Sequence, residues 1–181
     1  MSDMRKDIKS VYISKGKLKR TIKRLAKQIN RDYADKNLML LCVLKGSVVV
    51  LADLMREITL PCRIDFMVVS SYGNGTVNTG TEIKYDIQTD ISDYDVLIVE
   101  DILDSGNTLF NLKKILMSRN PKSLKICTLL DKPSRREADI AADYSGIVID
   151  NAFVVGYGLD YAEKYRNLPF IGIPKDECVG L

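Results

Sequence analysis

The sequence predicts an α/β fold with a mainly parallel central sheet flanked by helices. Three apolar runs of strand length, at residues 38–44, 96–99 and 124–130, contain no polar alternation, which is typical of strands covered on both faces. Stretches with helical periodicity follow the first two runs, and strands that alternate with helices build βαβ units. At 181 residues, the chain is expected to form a single domain over residues 1–181.

The first half of the chain opens with an amphipathic helix. Its apolar residues recur at helical spacing: Leu18, Ile22, Leu25, Ile29 and Tyr33. A serine at position 14 is suited to cap this helix. The next predicted elements are a strand at 38–44, a helix at 48–58 and a strand at 63–70.

The second half begins with a segment at 71–81, SYGNGTVNTGT, whose glycines and asparagines predict a long mobile loop. The remaining predicted elements are, in chain order, a strand at 82–88, a strand at 96–99, a loop at 101–107, a helix at 108–118 and a strand at 124–130. Shorter apolar segments follow at 146–149, 153–155 and 170–173.

The composition excludes several classes of protein. The chain has no histidine, so it lacks the usual neutral-pH general base and the commonest metal ligand. Four widely spaced cysteines without a CxxC motif predict free thiols. No apolar run is long enough to cross a membrane and no signal-peptide pattern opens the chain, so we expect a cytoplasmic protein.

Charge is unevenly distributed along the chain. The net charge is only +3, but residues 1–36 carry 12 Lys and Arg against 4 Asp and Glu. Such an asymmetry occurs in nucleic-acid-binding proteins. The basic residues fill the polar face of the first amphipathic helix, which favours a solvated surface over a nucleic-acid partner.

The segment VEDILDSGNT, at 99–108, is the strongest functional motif. Its turn from Asp104 through Ser105, Gly106 and Asn107 to Thr108 offers backbone N–H groups, hydroxyls and a helix start, which suit a phosphate monoester. The acids Glu100 and Asp101 would repel a bare phosphate, so they should face sugar hydroxyls or a Mg²⁺ ion on the same ligand. The pattern therefore favours a ribose 5-phosphate site, and its alternative is a helix cap with solvated acids.

This segment resembles the signature of the type I phosphoribosyltransferases, and the resemblance extends to the branch that uses 6-oxopurines. The matching motifs lie in the family's order and cover nearly the whole chain: LKGS at 44–47, SY at 71–72, VLIVEDILDSGNT at 96–108, DKP at 131–133, FVVGYGLDY at 153–161 and RNLP at 166–169. The resemblance implies the type I phosphoribosyltransferase fold, with a small hood region formed by parts of both chain ends and a flexible lid loop at about 71–81.

The resemblance also implies a reaction. A Mg²⁺-dependent enzyme would transfer the 5-phosphoribosyl group from phosphoribosyl pyrophosphate to hypoxanthine, with guanine as a second base. The products would be a nucleoside monophosphate and pyrophosphate, which is a step of purine salvage. A homodimer or homotetramer is implied as well.

Site residues follow from the matched motifs. The implied assignments are Leu44, Lys45, Gly46 and Arg166 for pyrophosphate, Glu100 and Asp101 for ribose, residues 104–108 for the 5-phosphate, Lys132, Phe153, Val154 and Asp160 for the purine, Ser71 and Tyr72 for the lid, and Glu100, Asp101 and Asp160 for the metal. Asp104 is implied as the catalytic carboxylate near the base. The family often has a cis peptide between the residues matching Leu44 and Lys45.

The sequence departs from the family's pattern at two positions, and two alternative functions are left open. Ser105 and Asn107 stand where relatives often carry Thr and Lys, and the missing lysine would weaken the attraction of phosphate. An enzyme that prefers xanthine, or one that uses a pyrimidine, is one alternative. A nucleic-acid-binding regulator that keeps the fold is another, and it rests on the basic first helix.

Overall fold

A computed structural model describes residues 3–72 and 80–180. Its elements are β1 Ile8–Ile13, α1 Lys15–Asp32, β2 Leu38–Leu44, α2 Val48–Glu57, β3 Cys62–Tyr72, β4 Gly80–Tyr85, β5 Asp95–Leu103, α3 Asn107–Met117, β6 Ser123–Asp131, β7 Tyr144–Val148, β8 Ile171–Pro174 and α4 Asp176–Val179. The predicted loop at 71–81 falls mostly on residues 73–79, which lie outside the described residues.

A six-stranded sheet in the order β4-β3-β2-β5-β6-β7 forms the centre of the fold. Neighbouring strands from β3 to β7 pair in parallel, and β4 pairs antiparallel with β3. The predicted α/β class with a mainly parallel sheet is confirmed. Because parallel strands share one direction, the carboxyl ends of β2, β5 and β6 meet at the same edge.

Strand β2 explains why its sequence shows no polar alternation. Leu38, Leu40 and Cys42 point into a core that includes the apolar stripe of α1, while Met39 and Leu41 point into a second core that includes Leu109, Leu112 and Leu116 of α3. Both faces of the strand are covered, so every position must be apolar.

The first helix forms as predicted. Its apolar residues, from Leu18 to Ile29, are buried, and the Ser14 hydroxyl accepts a hydrogen bond from Lys17 N–H at 3.3 Å. The lysines and arginines of the helix are exposed, which confirms the predicted polar face.

Strand β5 is longer than predicted. The expected loop at 101–107 is wrong over its first three residues, because Ile102 and Leu103 continue the parallel pairing with Leu130 and Asp131 of β6. Asp101 therefore lies within the strand, and the loop is reduced to a tight turn before α3.

The apolar segment at 153–155 forms no strand among the described residues, where Val155 makes an isolated bridge to Gly172. Strand β1 was not predicted, since its burial pattern is largely exposed and gives no apolar signal. It pairs antiparallel with β8, so the two ends of the chain form a second, two-stranded sheet.

None of the helices in the described part of the chain is long and apolar enough to cross a membrane. All four cysteines are free thiols, as predicted.

Candidate functional site

The carboxyl end of β5 carries the acidic pair and leads directly into the turn at 104–106. Helix α3 starts at Asn107, with Gly106 as its N-cap residue at φ +85°. A side chain there would be strained, and a Cβ would approach the Ile140 methyl group at 2.6 Å. Glycine is therefore needed to turn the chain from the strand into the helix.

The acidic pair is desolvated. Burial raises the pKa of Glu100 well above its ordinary value, and the neighbouring charge of Asp101 adds to this rise. Burial also raises the pKa of Asp101 to about 6, against the opposing effect of a 2.7 Å hydrogen bond from Ile102 N–H. Two adjacent carboxyl groups that protein shields from water attract a cation or hydroxyl donors, which stabilise their charged form.

The loop that follows β2 lies directly over the acidic pair. Its Leu44–Lys45 peptide bond is cis, as the resemblance implied. A Cβ on Gly46 would meet an Asp101 carboxylate oxygen at 1.8 Å, and a Cβ on Gly158 would meet the Gly46 carbonyl oxygen at 2.0 Å. The loop is thus packed between Asp101 and the segment that contains Gly158.

Charged side chains of the segment at 158–166 form ion pairs with this loop and with one another. Lys45 Nζ lies 3.2 Å from Glu163, and Arg166 lies 2.8 Å from Asp160 and 3.4 Å from Glu163. Arg166 also donates to the Gly158 carbonyl oxygen at 2.8 Å. Both predicted pyrophosphate cations therefore contact one acidic residue, Glu163, which the sequence analysis did not identify.

Lys132, one of the residues predicted to bind the purine, directly follows β6. Lys132 is only 6% exposed, and its Nζ lies 3.8 Å from an Asp104 carboxylate oxygen. Phe153 is 45% exposed and packs edge-on against Tyr161, whereas Val154 is buried. An aromatic ring left open at the surface can stack on a planar ligand.

A cleft of about 270 Å³ unites three of the predicted groups: Leu44, Lys45 and Gly46, the acidic pair, and the turn residues Asp104, Ser105, Gly106 and Thr108. Asn107, Lys132, Phe153, Val154, Asp160 and Arg166 are not among its lining residues. A larger cavity of about 600 Å³ lies between α1, α2 and residues 157–169. It contains Arg166 but neither the acidic pair nor the turn, so the smaller cleft is the candidate site.

The predicted metal ligands are distributed over two segments. Within residues 3–72 and 80–180, no group of three acidic or sulfur-bearing side chains is placed to hold an ion by itself. Asp160 instead forms an ion pair with Arg166. Ser71 and Tyr72 end β3, and the rest of the predicted lid lies outside the described residues.

Sequence reasoning also missed Arg135 and Arg136. Arg135 Nε lies 3.3 Å from the Asp104 carboxylate, and Arg136 contacts both the Asp104 carbonyl oxygen and the Asp131 carboxylate. Both arginines come soon after a strand end that carries a predicted site residue, and that position is the one signal that could have identified them.

Together, the parallel sheet, the strand-end acids and the small-residue turn define a protein that binds a sugar phosphate, as phosphoribosyltransferases do. The family model described as "Phosphoribosyl transferase domain" matches residues 12–162, and the chain belongs to this family. The chain is 47% identical over 175 residues to a hypoxanthine-guanine phosphoribosyltransferase of Streptococcus thermophilus, covering 96% of this chain and 97% of the relative.

Other relatives agree. A hypoxanthine-guanine phosphoribosyltransferase of Bacillus subtilis is 49% identical over 173 residues, with 95% of this chain and 96% of the relative covered. The crystal structure of a hypoxanthine phosphoribosyltransferase from Staphylococcus aureus superposes with a TM-score of 0.94 at 48% identity, and covers 98% of this chain and 97% of that chain. The predicted type I phosphoribosyltransferase fold is confirmed.

Proposed function

We propose that this protein transfers the 5-phosphoribosyl group from phosphoribosyl pyrophosphate to hypoxanthine and guanine in purine salvage. A purine nitrogen bonds to C1 of the ribose, the C1–O bond breaks, pyrophosphate leaves with the bonding electrons, and the base loses a proton. The observation that carries the proposal is the cleft in which the loop of Lys45, the acidic pair and most of the turn at 104–108 meet.

The sugar phosphate is assigned to the end of β5. Glu100 and Asp101 accept hydrogen bonds from the ribose hydroxyls, since carboxylates are strong acceptors for such donors. The 5-phosphate lies in the turn formed by Asp104, Ser105, Gly106, Asn107 and Thr108, where the N-terminus of α3 supplies N–H groups and a favourable dipole.

Pyrophosphate is assigned to Leu44, Lys45, Gly46 and Arg166. Two cations that meet at one acidic residue, Glu163, suit a leaving group that gains negative charge in the transition state. Glu163 contacts both cations, so pyrophosphate binding would replace those contacts.

Mg²⁺ is the proposed cofactor. The acidic pair fits a divalent ion, because desolvation of Glu100 and Asp101 leaves two adjacent carboxylates in need of positive charge. Magnesium usually binds one or two carboxylates together with substrate oxygens, so these acids and Asp160 would share it with the sugar pyrophosphate. The bound ion would neutralise charge on the departing pyrophosphate.

The purine is assigned to Lys132, Phe153, Val154 and Asp160. The Lys132 ammonium donates to the 6-oxo group and has no acceptor for the 6-amino group of adenine. Phe153 stacks on the ring, and backbone groups at Val154 and Asp160 contact the remaining edge. Asp104, 3.8 Å from Lys132 Nζ, is the catalytic carboxylate that accepts or balances the proton of the base.

The remaining assignments are also proposals. Residues 1–181 form a single domain, with the pairing of β1 and β8 as the support for a hood built from both chain ends. Ser71 and Tyr72 belong to a lid that shields the reacting ribosyl centre from water. The protein acts as a homodimer or homotetramer in the cytoplasm, which mass measurement of the native particle and cell fractionation would test.

A base panel tests the proposed activity. Hypoxanthine, guanine, xanthine, adenine and uracil are each assayed with phosphoribosyl pyrophosphate and Mg²⁺, and nucleotide is measured by chromatography. We expect nucleotide from hypoxanthine and guanine, none from adenine or uracil, and none when a chelator removes the metal. If xanthine is the preferred base, the protein is a xanthine phosphoribosyltransferase instead.

A nucleic-acid-binding regulator is the second candidate, because α1 exposes a basic face. It would yield no nucleotide with any base and would bind DNA or RNA with an affinity that falls steeply with salt.

A further inference from the structure

Arg136 connects the two strand ends that carry the proposed sugar-phosphate and purine sites. One guanidinium N–H group donates to the carbonyl oxygen of Asp104, and another contacts the carboxylate of Asp131, the residue before Lys132. The side chains of Arg136 and Asp131 are only 15% and 14% exposed. A single planar cation therefore bridges the ends of β5 and β6 in a largely water-free position.

The stem of Arg136 also supports the phosphate turn. A Cβ on Gly106 would lie 3.1 Å from Arg136 Cδ, so the turn rests on this side chain. The following residues strengthen the link, because Glu137 N–H and Ala138 N–H donate to the Ser105 carbonyl oxygen at 2.9 and 3.1 Å. The turn at 104–106 is thus fixed by the segment that follows Lys132 as well as by α3.

The chemistry of the bridge requires arginine. A guanidinium presents several N–H donors in a rigid plane and can hold a carbonyl and a carboxylate simultaneously, whereas an ammonium is a compact charge on a flexible stem. Lysine at this position would keep the charge that balances Asp131 but would lose one of the two directed contacts.

We propose that Arg136 is a positioning residue that sets the distance between Asp104 and Lys132, and so couples purine binding to sugar-phosphate binding. This inference rests on the proposed function. Arg136 itself touches neither substrate: it acts through the backbone of Asp104 and the carboxylate next to Lys132. Small displacements of a reacting group cost about 100-fold in rate, which is the reason such a bridge would matter.

The test compares Arg136→Lys with Arg20→Lys, an equivalent change on the exposed face of α1. Turnover is measured with hypoxanthine, and binding of inosine 5′-monophosphate is measured by calorimetry, which also gives the fraction of competent sites. For Arg136→Lys we expect turnover per competent site to fall about 10- to 100-fold and nucleotide affinity to fall at least about fivefold. The KM for phosphoribosyl pyrophosphate should change by less than the nucleotide affinity does. Arg20→Lys should match the original protein in all three.

A second variant separates positioning from folding. Asp131→Asn keeps the shape of the bridge but removes its negative charge, and it should show a smaller loss than Arg136→Lys in the same two measurements. Arg136→Lys with unchanged turnover per competent site, or with a loss explained wholly by fewer competent sites, would overturn the inference. Failure of the proposed function would appear separately, as the absence of turnover in the unaltered protein. In that case, the nucleotide affinity of Arg136→Lys compared with that of the unaltered protein would still decide the inference.

Discussion

The three acids near the end of β5 look equivalent in sequence but differ in their surroundings. Burial raises the pKa of Glu100 and Asp101, whereas Asp104 faces the cations of Lys132 and Arg135. The motif predicted their proximity because all three follow one buried strand. It could not predict the difference, because the two cations come from about 30 residues further along the chain and reach Asp104 only through sheet pairing.

Replacing Asp104 by asparagine tests this difference. Asparagine has a similar shape but cannot accept a proton, and Lys132 would lose its counter-ion. We expect turnover with hypoxanthine to fall at least about 100-fold, while the affinity for ribose 5-phosphate changes by less than about threefold, because the backbone donors of the turn remain. Steady-state kinetics and calorimetry give the two values. Asp139→Asn, an exposed change nearby, is the control, and equal losses of turnover and affinity in Asp104→Asn would contradict a catalytic role.

At the scale of elements, the sequence predicted the long helices and buried strands well. Their apolar periodicity reflects burial within the element itself, as in β2 and α1. Sequence periodicity did not reveal β1 or the conformation of residues 153–155, because both depend on distant partners. Strand β1 exists through pairing with β8, and Val155 forms one bridge to Gly172 instead of a ladder. Glu163 was missed for the same reason, since its contact with Lys45 joins two segments far apart in sequence.

The packing of the loop after β2 against β5 gives a prediction of its own. In Gly46→Ala the new methyl group would overlap the Asp101 carboxylate, 1.8 Å away, so the loop and the acidic pair must separate. We expect the KM for phosphoribosyl pyrophosphate to rise at least about tenfold, a size typical for the loss of directed contacts in a small cleft.

Gly16→Ala is the matched control for this change. Its methyl group would lie 3.6 Å from an Arg20 nitrogen, an ordinary contact, and alanine favours a helix over glycine by about 0.5–1 kcal/mol. It should stabilise α1 in urea unfolding and leave kinetics unchanged. A normal KM in Gly46→Ala would show that the acidic pair does not depend on the position of this loop.

At the scale of the whole molecule, the candidate cleft is built where the ends of β2 and β5 meet, and its acids reduce the stability of the fold at neutral pH. Asp86, which follows β4, has a partner in Arg119 at 2.7 Å. In the acidic pair, burial instead raises the pKa of both carboxyl groups, so their charged forms are disfavoured. Sequence could predict that the acids lie together but not this energetic cost, which depends on how much protein surrounds them.

This cost predicts how stability depends on pH. The pKa of Asp101 is about 6 in the folded protein and near 4 in the unfolded chain, and the pKa of Glu100 is raised as well. At a pH between the folded and unfolded pKa values, these carboxyl groups keep their protons in the folded state and release them in the unfolded chain. The resulting stabilisation is complete below about pH 4 and is lost as pH rises through the folded pKa.

We therefore expect the metal-free protein to lose about 2 kcal/mol of unfolding free energy between pH 4.5 and 7.5 through Asp101. Asp101→Asn keeps an oxygen for the 2.7 Å hydrogen bond from Ile102 N–H, so it should show a flatter profile and exceed the original protein in stability above pH 7, while it loses activity. Glu100→Gln combined with this change should flatten the profile further. Urea unfolding at constant ionic strength measures each free energy.

The matched control for the pH profile is Asp90→Asn. Hydrogen bonds from the backbone and hydroxyl of Ser92 lower the pKa of Asp90, so its contribution to stability is present above about pH 4 and lost only as pH falls below it. Its profile should run parallel to that of the original protein between pH 5 and 7.5. An equally parallel profile for Asp101→Asn would mean that Asp101 is already stabilised as an anion in the empty site. In that case the acidic pair would not need the positive charge and hydroxyl donors of the sugar pyrophosphate, and the ribose assignment would lose its electrostatic basis.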